Sequence, residues 1–108
     1  MPRYLFQGSY SQEGAQGLLR EGGTKRRAAV ERLVQSLGGR LEGFHYAFGE
    51  TDLFMIVDLP GHAAAAAASL IVAASGAGQW RTTVLMSAED MDEATRTGGG
   101  YRAPGAAP

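Results

Sequence analysis

Cysteine is absent from this 108-residue chain. Disulfide bonds, thiolate nucleophiles and thiolate metal sites are excluded together, and the chain is compatible with a reducing compartment. Histidine is nearly absent too, with only His45 and His62, and neither is joined to a carboxylate at ligand spacing. No dedicated metal site is expected. Charge of one sign is also missing: ten basic residues face eleven acidic ones, for a net charge of -1. Such a balance projects no long-range field toward nucleic acid. Long apolar runs are lacking as well. The nearest, Ala63 to Ala74, is mostly alanine, is interrupted by Ser69 and falls short of the ~20 residues of a membrane span. Met1 to Gln7 turns polar too soon for the apolar stretch of a signal peptide, so the expected location is cytoplasmic, with no membrane partner. Neither a phosphate-cradling glycine loop nor a Ser-His-Asp order is present, Gly14 and Gly17 reading as loop glycines, and no cofactor is expected.

What is there is a globular composition, 44% hydrophobic and 19% charged, in a chain with room for one core. Tyr4, Phe6 and Tyr10 alternate with Leu5, Gln7 and Ser9, the parity of a strand with two different faces. Ser11 to Gly23 can open as a capped turn, but Gly14, Gly17 and Gly22-Gly23 argue for irregular chain. Thr24 is the expected N-cap of a helix striped by Val30, Leu33, Val34 and Leu37, which Gly38-Gly39 ends. Leu41 to Phe48 and Asp52 to Leu59 read as two strands of a hairpin separated by Gly49-Glu50-Thr51. After Pro60-Gly61 come a small-residue helix, Ala63 to Ala74, and a fourth strand, Trp80 to Ser87. Ser87 can cap a short acidic helix to about Thr95, leaving a Gly/Pro/Ala-rich tail over 96–108 beyond a domain of residues 1–95.

Strand, helix, hairpin, helix, strand is the ferredoxin-like βαββαβ pattern of an α+β domain. Right-handed crossovers then give an antiparallel sheet of order 4-1-3-2.

Gly49-Glu50-Thr51-Asp52 resembles the signature of the GYD-domain family, a Gly-x-Tyr-Asp turn, with Thr51 in the tyrosine place. Similarity extends to Tyr10-Ser11, Leu37-Gly38-Gly39, Asp58-Leu59-Pro60 and Arg81-Thr82-Thr83. Glu21-Gly22-Gly23-Thr24 and Tyr101-Arg102-Ala103-Pro104-Gly105 are similar to one subgroup. The resemblance implies a ferredoxin-like domain related to dimeric α/β-barrel proteins and implies no common activity.

A four-stranded sheet covered by two helices leaves one face open. Leu53, Met55, Val57 and Leu59 alternate with Phe54 and Ile56, and Phe44, Tyr46 and Phe48 lie opposite Leu41 and Ala47, so both faces call for burial. A homodimer or higher homo-oligomer closed face to face around a twofold axis is the expected solution; the tail or the segment after Ser11 covering that face is the alternative.

Two groups of residues are candidates for a site. Tyr10, Asp52 and Arg81 converge at one end of the sheet, where Asp52 and Arg81 form either the rim of an anion pocket or a salt bridge pinning the hairpin. Gln7, Ser9, His45 and Thr83 are polar positions on the strands that would line a cavity between two sheets, with His45 as the group able to transfer a proton. The ligand-binding set is therefore Gln7, Ser9, Tyr10, His45, Asp52, Arg81 and Thr83, and the catalytic candidates are His45 and Asp52. His62 reads as a solvated residue at a helix start, and Lys25-Arg26-Arg27 as a basic cluster against the helix dipole, marking a contact or a solvated face. A small-molecule-binding homodimer, a cofactor-independent enzyme and a structural or regulatory subunit are the functions compatible with these residues.

Overall fold

The alternation of Tyr4 and Phe6 with Leu5 and Gln7 produces a two-faced strand, β1, over Arg3–Tyr10. Tyr4 and Phe6 are fully buried, whereas Leu5 and Gln7 are half-buried on the other face. The computed structural model describes residues 1–47 and 49–107.

The segment after β1 corrects the expectation of irregular chain. Gln12–Glu21 is a helix, α1, whose N-cap Ser11 accepts from the Gly14 amide at 3.0 Å. The Ser11 hydroxyl also donates to the Gly76 carbonyl, and the Ser11 amide donates to the Ala77 carbonyl at 3.0 Å. A Cβ at Gly14 would lie 1.8 Å from the Ala77 carbonyl oxygen, so this glycine lets the helix dock instead of breaking it. Capping and docking outweigh a helical penalty of about 1 kcal/mol per glycine.

Helix α2 follows at once over Gly23–Ser36. Its N-cap is Gly22, at φ 82°, with no side-chain cap; Thr24, expected as the cap, lies inside the first turn. Val30 and Val34 are its buried residues. Gly38, at φ 83°, closes the helix, its amide donating to Gln35 and the Gly39 amide to Val34, each at 3.0 Å. This is the paired-bond glycine stop expected of Gly38-Gly39.

Strands β2, Arg40–Tyr46, and β3, Leu53–Asp58, form the antiparallel hairpin. Both are shorter than expected, the first ending at Tyr46 and the second running only from Leu53 to Asp58; Phe48, placed at the end of the first, lies outside the described residues. A register shift between Leu41 and Gly43 changes the parity of β2. Leu41 and Phe44 therefore both pack on the helix-side core, where simple alternation set them on opposite faces. Helix α3, His62–Ala74, lies against strand β4, Gly78–Leu85. Its alanines Ala65 and Ala68 are buried, which is what close approach to a sheet requires.

The sheet runs β2-β3-β1-β4, the expected order seen from the other edge. Core residues Tyr4, Phe6, Leu53, Met55 and Val57 face Val30, Val34, Ala65 and Ala68 of the helices. Last comes helix α4, Ala88–Thr97, opened by a reciprocal capping box between Ser87 and Asp90. It buries no residue, and the molecule is drawn out to 62 × 31 × 23 Å.

Candidate functional site

Pairing across all four strands arranges the face without helices in rows. His45, Phe54, Gln7 and Arg81 form one row from β2 to β4. Gly43, Ile56, Leu5 and Thr83 form the next, and Arg40, Asp58, Arg3 and Leu85 the third. Ser9 and Gln79 pair beyond the first row. The face thus has an apolar centre of Leu5, Phe54 and Ile56, all half-buried, between two polar ends.

The third row is an ion network. Asp58 is buried, and its carboxylate accepts from Arg3 at 2.9 Å and lies 3.5 Å from the Arg40 guanidinium. The hydrogen bond from Arg3 holds the Asp58 carboxyl below its usual pKa, against the opposing effect of desolvation. Glu42 completes the network on Arg40, so the two cations here are matched by two carboxylates.

The first row is different. Arg81 Nη2 donates to Gln7 Oε1 at 3.0 Å and to Thr51 Oγ1 at 3.1 Å. Thr51 is 8% exposed, so an otherwise mobile arginine is anchored to a buried hydroxyl. Among the described residues no carboxylate pairs with Arg81. The Asp52–Arg81 salt bridge weighed from the sequence does not form. Asp52 instead accepts from the Tyr10 amide at 2.9 Å, and its own amide donates to the Gly8 carbonyl at 2.9 Å. Asp52 therefore serves the backbone, stitching the hairpin loop to β1.

Of the residues singled out beforehand, Gln7, Arg81 and Thr83 come together on β1 and β4, with Ser9 on the same face. His45 shares the face but lies at the opposite side of the sheet, three strand spacings or ~14 Å from Arg81. Tyr10 belongs to the helix side with Tyr4 and Phe6, paired with Gly78. Burial first, and then the neighbouring Tyr46 hydroxyl, raise the Tyr10 pKa and keep the phenol protonated. His62 is not merely solvated: its Nδ1 lies 2.7 Å from the hydroxyl of buried Tyr4.

Thr51 was missed as a site residue. Its type departs from the signature of the turn, and only the fold reveals that its hydroxyl meets Arg81. No group of three or more His, Asp or Glu side chains able to hold a metal occurs among the described residues, and no helix among them is long and apolar enough to cross a membrane.

The family model described as GYD domain matches residues 4–95. Comparison with curated proteins and with solved structures gives no match.

Proposed function

The chain belongs to the GYD-domain family, and we propose on that footing that it is a homodimeric binding module for a small organic molecule bearing an acidic group. Two open sheet faces close on each other around a twofold axis, and the ligand lies between them. The observation that carries this reading is Arg81, fixed by Gln7 and Thr51, uncompensated by a carboxylate among the described residues, and set beside an apolar centre. A guanidinium fork in that position suits a carboxylate or phosphate, while Leu5, Phe54 and Ile56 suit the apolar remainder. Thr83 and Ser9 supply hydroxyls along the same face.

The enzymatic alternative loses support from the engagement of Asp52 with the Tyr10 amide and from the distance of His45. A docking role keeps one supporting observation, helix α4, which buries none of its residues.

Light scattering of the full chain, together with native mass spectrometry, tests the proposal. A dimer is expected that Phe54→Lys converts to monomer, carrying a co-purifying small acid that Arg81→Gln loses. A wild-type monomer at micromolar concentration would exclude the paired-sheet arrangement. A dimer whose bound molecule survives Arg81→Gln would exclude the assigned anion contact.

A further inference from the structure

A second cleft lies on the other side of the sheet from Arg81. Helix α2 rests on β2 and helix α3 on β4, so they flank β1 without closing over its end. At that point β1 contributes Gly8, against which Trp80 and Leu53 pack closely: a Cβ there would lie 3.1 Å from the Trp80 ring and 3.4 Å from the Leu53 Cβ. The result is a pocket of about 90 Å³, walled by Leu33 of α2, Val72 of α3, Leu53 of β3 and Trp80 of β4. Arg26 and Tyr10 both line the pocket, and both are partly exposed.

The chemistry of the lining is asymmetric: mostly apolar walls, with Ser9, Tyr10 and Ser75 as polar residues and Arg26 as the one charged residue. Arg26 has a carboxylate partner in Glu21 at 3.2 Å, but the Glu21 side chain is 46% exposed and the pair is a weak, solvent-screened one. The first turn of α2 holds no acidic residue while carrying Lys25 and Arg26, an arrangement opposed to the helix dipole. An anion placed at the mouth relieves that excess of positive charge. Size sets the rest of the ligand. An apolar cavity of about 150 Å³ accepts benzene, so this pocket takes a smaller group, a branched chain of a few carbons.

We propose that the cleft between α2 and α3 is a binding site for a short branched aliphatic carboxylate. Its alkyl end packs among Leu33, Leu53, Val72 and Trp80, and its carboxylate meets Arg26. The site is independent of the sheet face and of dimerisation.

Trp80 is the chain's one tryptophan and a wall of the pocket, so its fluorescence reports occupancy directly. Titrating the full-length protein with isobutyrate should give a saturable change in Trp80 emission at millimolar concentration. Isobutyramide, with the same shape and no charge, should bind roughly tenfold more weakly, as loss of a charge-assisted contact requires. Arg26→Gln should weaken isobutyrate similarly, and Arg96→Gln, in the last turn of α4, should leave it unchanged. No saturable signal, equal binding of acid and amide, or indifference to Arg26→Gln would each overturn the assignment. The acid and amide comparison uses the unmodified protein and so holds whether or not a variant folds.

Discussion

Arg81 Nη2 sits 3.1 Å from the Thr51 hydroxyl, joining edge strand β4 to the hairpin loop across β1. Thr51→Val keeps the side chain's shape and removes the acceptor, so a loss of about 1 kcal/mol in unfolding free energy is expected. Arg81→Gln combined with Thr51→Val should cost less than the two singles added, because they break one interaction. Urea denaturation of the four-member cycle measures this coupling.

Two glycines of α1 should respond in opposite directions to alanine. Nothing lies within 4 Å of a Cβ built at Gly17, and Gly17→Ala is expected to stabilise by roughly 0.5–1 kcal/mol. At Gly14 the same methyl group meets the Ala77 carbonyl oxygen at 1.8 Å, and Gly14→Ala should destabilise by about 1–3 kcal/mol. Thermal melts of the two variants beside the parent decide the matter.

The Tyr4 hydroxyl is buried apart from its bond to His62 Nδ1. Tyr4→Phe and His62→Ala should each destabilise by about 1 kcal/mol, and the double variant by less than their sum. Equal and additive losses would show that the two side chains act separately.

Acid should weaken the molecule partly through Asp58. Its pKa is depressed in the folded chain, chiefly by the Arg3 hydrogen bond, so its contribution is complete above the unfolded value of about 3.9 and disappears as pH falls through the lower folded value. Asp58→Asn should therefore be less stable than the parent at neutral pH, and the gap should narrow below about pH 4. Denaturation midpoints recorded across that window test both parts.

Strand β1, the Gly38 stop, the hairpin and the sheet order were legible because each rests on local signals: alternation, a left-handed glycine, a short connection. Helix α1 was not, since the value of Gly14 lies in its contact with Ala77, more than sixty residues away in sequence. Nor was the parity of β2: Gly43 inside the strand is a bulge signal, but the register shift between Leu41 and Gly43 is set by pairing with β3. At the site, topology correctly brought β4 and the hairpin loop together. Side-chain direction then decided the partners, turning Asp52 to the Tyr10 amide and Arg81 to Thr51. The cleft beside Trp80 was illegible for another reason: it is made by the spacing of two helices, which no local pattern records.

Helix α4 makes the chain hydrodynamically misleading. The radius of gyration is 17.7 Å, against about 13 Å for a compact chain of this length. A single copy will tumble slowly and leave a sizing column early, at the volume of a larger globular protein. Elution volume calibrated on spherical standards would then count one molecule as two, which is why the stoichiometry must come from scattered light or from mass.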